Sequence, residues 1–212
     1  MSKYGHRPHN WFEAIVNRLG GENGAEAFLR GDLVITEHQS WREADGVIYF
    51  SVTSDGTTGE QWVSRLEDKG FYLDEYVKEM LCSPDFKPTN GVATEVAVLK
   101  GMLFATNHRS IENVLSNSKR RKLIRPNTEI ACLILEKFSK KQVKQMGLSC
   151  LLVMHEPIHT SDPDGHTKIL SPDWGLDFHG LDAINTKEDG YCVWVRRMGF
   201  AFAKSQTDSK MN

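Results

Sequence analysis

Apolar positions recur along the chain with two periods, and the switches between them mark the elements. Trp11, Ile15 and Leu19 fall at the i, i+4, i+8 spacing of one helix face. Asn10 with Glu13 reads as a capping box for that helix, and Gly20-Gly21 as its stop. A second short helix over 24–30 closes at Gly31 and offers Phe28 and Leu29 for packing, with a strand predicted over 33–35. Residues 46–53, GVIYFSVT, are β-branched and aromatic and predict a strand. The turn SDGTTGE leads into a second capping box, Thr58 with Gln61, and a helix whose Trp62, Val63 and Leu66 face the core until Gly70. Residues 73–81 are helical again, with Tyr76, Val77 and Met80 at helical spacing.

The stretch 82–91, CSPDFKPTNG, carries two prolines and an Asn-Gly and reads as a linker. Beyond it a strand is predicted over 92–104, and a helix over 107–125 that Pro126 ends. A further helix over 127–138 buries Ile130, Ile134 and Phe138, and Ser139 with Gln142 caps another that stops at Gly147. The apolar run 148–154 predicts a buried strand, followed by a polar, Asp- and Gly-rich region. Strands over 191–195 and 200–203 complete the sheet. The pattern predicts an α+β fold, with an N-terminal helical portion and small β element over 1–81 and helices on a mixed or antiparallel sheet over 92–212.

The stretches LGGENGAEAFLRGDLVI, TTGEQWVSRLEDKGF, VAVLKGMLF, PNTEIACLILEKFS, MGLSCLLVMHEPI and GFAFAKSQ span most of the chain. On these the sequence resembles a group of uncharacterised bacterial proteins from small-genome candidate-phylum lineages. That resemblance implies a bacterial, cytosolic, single-copy protein of this size. No activity is assigned to the group, so no functional residue carries over.

Composition narrows the function classes. The 212 residues are 40% hydrophobic and 25% charged, the balance of a globular chain. Lys+Arg of 26 against Asp+Glu of 28 gives a net charge of −2, so any attraction to nucleic acid must come from a local patch. No apolar run approaches the ~20 residues that cross a bilayer, and no leader-like apolar core opens the chain. Cys82, Cys132, Cys150 and Cys192 are scattered without a C-x-x-C pair, as in a reduced, cytoplasmic protein.

Candidate chemistry centres on GLSCLLVMHEPIHTS, residues 147–161, which contains H-E-x-x-H. On a helix, His155 and His159 would share one face and bind a zinc ion, with Glu156 as the base acting on its water. The third ligand would come from Asp162, Asp164, His166, Asp177 or His179, with His166 foremost. Pro157 opposes a helix, and an extended chain would separate the two histidines by ~13 Å. The expectation is therefore a strand end running into a turn, with a zinc-dependent hydrolase as the alternative. SDPDGH also places Asp162, Asp164 and His166 at the spacing of part of a hard-cation loop, although a hairpin turn explains its proline and glycine. Cys150 lies near His155 in the same apolar run, where a thiol is expected to be buried and inert.

The strongest charge feature is Lys119, Arg120, Arg121, Lys122 and Arg125, with His108 and Arg109 upstream on the same predicted helix. Neighbouring bases are what a phosphate backbone requires, and they also complement a helix C-terminus. No aromatic lies among them to stack a base. The 24–30 helix, with Glu26 and Arg30, is a poor surface for phosphates. Arg196 and Arg197 would either meet an anionic ligand or guard a turn by charge. The leading expectation is a non-catalytic cytoplasmic binding protein whose partner is a protein or a nucleic acid, the latter contacted through the basic segment.

Overall fold

The computed structural model describes residues 8–33, 40–105, 110–175, 179–186 and 196–205. The chain divides into two compact units, residues 1–40 and 41–212. In the first, α1 (His9–Arg18) and α2 (Gly21–Arg30) form a hairpin, and α2 closes on Gly31 in the left-handed region at φ +84°. The expected capping box does not form, because α1 begins two residues earlier behind Pro8 and has no side-chain cap. Trp11, Phe12 and Ile15 are 38–42% exposed, so the expected buried stripe is only partly covered.

In the second unit the longest alternating runs pair with each other. β1 (Arg42–Ala44) turns into β2 (Val47–Asp55), which is followed by α3 (Gly59–Asp68), β3 (Tyr72–Leu73) and α4 (Glu75–Cys82). β4 (Asn90–Lys100) then lies antiparallel to β2 in the register Val47↔Leu99 to Thr53↔Ala93. After a single 3-10 turn over Gly101–Leu103 come α5 (Ile111–Arg120), β5 (Leu123–Ile124), α6 (Ile130–Lys137) and α7 (Lys140–Gln145). The chain finishes through β6 (Cys150–Val153), β7 (Ile158–His159), β8 (Thr167–Trp174), β9 (His179–Asn185) and β10 (Met198–Lys204). The sheet order is β1-β2-β4-β10-β6-β8-β9-β3, with β5 added to β10 and β7 to β8. The β10–β6 and β9–β3 pairs are parallel and the other pairs antiparallel. Among the described residues this gives seven helices and a ten-stranded mixed sheet, an α+β architecture.

Strand alternation sends side chains to two layers. Ile48, Phe50, Val96, Val98, Leu151, Val153, Leu170 and Leu181 meet α3, α4, α6 and α7 on one face. Val47, Ala97, Leu99, Leu152, Phe200 and Phe202 meet Val114 of α5 and Phe104 on the other. Each such fully buried aliphatic or aromatic side chain contributes about 1.5–3 kcal/mol. Close approach fixes two glycines. A β-carbon at Gly59 would sit 1.8 Å from the Leu81 carbonyl oxygen, and one at Gly199 would sit 2.5 Å from Val98 Cγ1.

Several expectations change. Residues 82–91 are not a domain linker, because the strands on either side of them pair along their length and α3 and α4 share the core with α6. The predicted helix over 107–125 ends at Arg120, where Lys122 adopts φ +56° and β5 follows. The polar region after residue 155 contains β8 and β9, with Pro172 inside a central strand. Leu170 directs its N–H away from β9, and alternation directs position 172 the same way, toward β6. There the β6–β8 ladder contributes only the pair Cys150↔Asp173, so the missing N–H of proline has little to satisfy. The strands expected at 34–35 and 191–195, with His108 and Arg109, lie outside the described residues.

Candidate functional site

The H-E-x-x-H stretch occupies a fork in the sheet. β6 lies between β10 and β8 and stops at Val153. Beyond that point β5 takes over the edge of β10 and β7 the edge of β8. Residues 154–157 cross the gap, and the backbone groups left there need partners. His155 supplies one of them. Its ring is 0% exposed, its Nδ1 faces the Glu156 carbonyl oxygen at 2.6 Å, and its Nε2 accepts the Leu170 N–H at 2.9 Å.

That pattern requires a neutral ring with the proton on Nδ1. Burial, the largest cause, lowers the His155 pKa to about 4, and the Arg125 charge pushes the same way. Arg125 holds the other side of the fork. Its Nη1 donates to the carbonyl oxygens of His155 at 2.7 Å and Met154 at 3.3 Å, and its Nε lies 3.2 Å from Glu156.

The expected zinc set therefore does not assemble. Both His155 nitrogens are committed, Glu156 is 81% exposed and paired with Arg125, and His159 is exposed on β7. His166, the third expected ligand, groups instead with Asp162 and Asp164, whose ligand atoms lie within 4.8 Å of one another. The Lys168 ammonium already sits 2.9 Å from Asp162 and holds that carboxyl below its usual range. The same ammonium donates to Asn185 and lies over the Tyr76 ring, so the loop is tied to β9 and α4 from within. Cys150 is half-buried, and burial, followed by the Asp173 charge, pushes its thiol up to about 11, which leaves it inert.

The basic segment is arranged differently from the expectation. Ser110 caps α5 by accepting the Asn113 N–H, and buried Val114 and Ser118 fix the inner face of the helix. Lys119 and Arg120 form its exposed last turn, Arg121 follows as the C-cap, and Lys122 makes the left-handed reversal into β5. Arg121 Nε donates to Asn117 at 2.9 Å. Among the described residues, none of these four bases has a carboxylate partner. Arg125, the fifth member of the sequence cluster, is withdrawn into the fork. A neighbouring groove of about 360 Å³ includes Thr94, Glu95, Ile124, Arg125, Asn127 and Lys204. Its Glu95 is bonded by both Arg42 at 3.0 Å and Lys204 at 3.3 Å, so its charges are balanced internally.

Sequence reasoning missed the fork itself. The sequence shows the residues that build it, Pro157 three positions past the apolar run 148–154 and Arg125 at the end of the basic segment, but not that they meet. No helix among the described residues is long and apolar enough to cross a membrane. No family model, curated protein or solved structure matches the chain.

Proposed function

We propose that the chain is a non-catalytic binding protein that takes the phosphate backbone of a nucleic acid at the end of α5. The observation that carries this reading is the set Lys119, Arg120, Arg121 and Lys122, exposed on one helix end and turn with no carboxylate to neutralise them among the described residues. Phosphates that replace the counterions of such a cluster gain affinity from ion release, without any sequence readout. The absence of an aromatic among these four bases favours backbone contact over base stacking. The zinc-hydrolase alternative draws no support from the geometry, because His155 has no free nitrogen to ligate with.

Fluorescence anisotropy with mixed-sequence DNA duplex and RNA tests the reading. Binding at low salt should weaken with a log–log slope of roughly −3 to −4, as expected for four neutralised phosphates. Replacing all four bases with Gln should abolish it. Undetectable or salt-insensitive binding would rule the reading out.

A further inference from the structure

A second cluster of bases lies at the opposite end of β10, and it surrounds a cavity. Ser149 and Leu148 lead into β6, Trp174 and Gly175 leave β8, Arg197 precedes β10, and α7 closes the side with Lys140, Val143 and Lys144. Together these residues line a pocket of about 330 Å³. The volume lies at the lower end of the range for small-molecule sites. It is separated from the α5 turn by the length of β10, roughly 20 Å for seven strand residues.

The lining divides by chemistry. Val143, Leu148 and Trp174 are 1%, 3% and 3% exposed and make an apolar wall fixed by the core. The Trp174 indole N–H is already used, donating to the Phe138 carbonyl oxygen at 2.9 Å. The polar lining is cationic, with Lys140, Lys144 and Arg197 and no carboxylate among the described lining residues. Lys140 is anchored by donation to the Gly175 carbonyl oxygen at 2.6 Å. Lys144 and Arg197 are exposed and have no ion-pair partner among the described residues. Ser149 adds a hydroxyl that, among the described residues, is held only at long range, 3.4 Å from the Arg197 carbonyl oxygen and 3.9 Å from the Cys150 sulfur.

We propose that this pocket binds a small organic anion with an apolar body. Its phosphate or carboxylate head would sit between Lys144 and Arg197, and its body would lie against Val143, Leu148 and Trp174. Arginine and lysine donors of this kind make charge-assisted hydrogen bonds to such a head, and the apolar wall rewards a hydrocarbon or ring attached to it. Either half alone recurs on many surfaces. Their union in one concavity, with the apolar wall held in place by the core, is what points to a ligand. The site needs no part of the α5 turn, so it stands or falls separately from nucleic-acid binding.

Titration calorimetry of the full chain with phenyl phosphate tests it, using inorganic phosphate and benzyl alcohol as half-ligands and nuclear magnetic resonance to locate the contact. Phenyl phosphate should bind at one site, at least ten-fold more tightly than either half-ligand, and shift the Val143, Leu148 and Trp174 indole signals. The double substitution Lys144→Gln with Arg197→Gln changes exposed side chains and should keep the fold while weakening binding at least ten-fold. Replacing Lys119, Arg120, Arg121 and Lys122 with Gln should leave it unchanged. No saturable binding, affinity equal to that of inorganic phosphate, or full affinity in the double variant would each overturn the proposal.

Discussion

The fork at the end of β6 and the pocket beside α7 make opposite use of similar residues. The fork has the recognisable signature, yet both ring nitrogens of His155 and the Nε and Nη1 of Arg125 already hold backbone or a neighbouring side chain. The pocket has no signature at all, yet it keeps Lys144 and Arg197 in the open beside a fixed apolar wall. Spacing along the chain shows which residues are available for chemistry. Whether an imidazole or a guanidinium remains free depends on which backbone groups the fold leaves unsatisfied nearby.

The largest test of that contrast is His155→Ala. Losing a fully buried ring and leaving the Leu170 N–H without its acceptor should cost about 3–4 kcal/mol in urea denaturation. A chelator should leave the midpoint of the unsubstituted chain where it was. A variant of normal stability that had lost a bound metal would make the fork a centre of chemistry after all.

The pH dependence gives a slightly smaller effect with a defined sign. The unfolded His155 takes up a proton near 6.5, whereas the folded ring resists protonation down to about 4. Below 6.5 the unfolded state binds more protons, so stability should fall as pH drops through that window, by roughly 3 kcal/mol in total. Asp55 does not interfere, since its folded pKa of about 2 against 3.8 confines its own loss to lower pH. A flat stability profile between pH 6.5 and 4 would mean that the ring is not held neutral as described.

Arg125→Ala sharpens the boundary between structural and binding bases. It should destabilise by about 2 kcal/mol through the two released carbonyl groups. The salt slope of nucleic-acid binding should not change. If this variant weakened nucleic-acid binding as much as the fourfold Gln variant, Arg125 would belong with the exposed cluster and the fork would lose its clamp.

Much of the scaffold was legible where local chemistry dominates. The capping boxes at Thr58 with Gln61 and Ser139 with Gln142 both form, since each needs only four consecutive residues. The runs GVIYFSVT and VATEVAVL become the paired strands β2 and β4 because their alternation already fits a sheet covered on both faces. β8 lies inside the region read only as polar and Asp- and Gly-rich, and it carries Lys168 and Pro172. They are tolerated in a strand because Asp162 and Asn185 receive the ammonium and because the only β6–β8 bridge, Cys150↔Asp173, lies beside the proline and not at it. The Asn10 box failed for a related reason, as its helix starts from Pro8 instead.

Sequence alone determined the α+β class, the helix starts at Thr58 and Ser139, and the judgement that Pro157 keeps His155 and His159 from acting as one helical pair. These follow from interactions within a few residues, which any fold would have to respect. Only the tertiary structure decided that Arg125 leaves the basic cluster, that His155 replaces a missing stretch of strand, and that Lys144, Trp174 and Arg197 share a cavity. Those outcomes depend on the end of β6, where two neighbouring strands exchange partners. A sequence pattern does not encode where such a ladder runs out, because the hydrogen bonds that fail there join residues far apart along the chain.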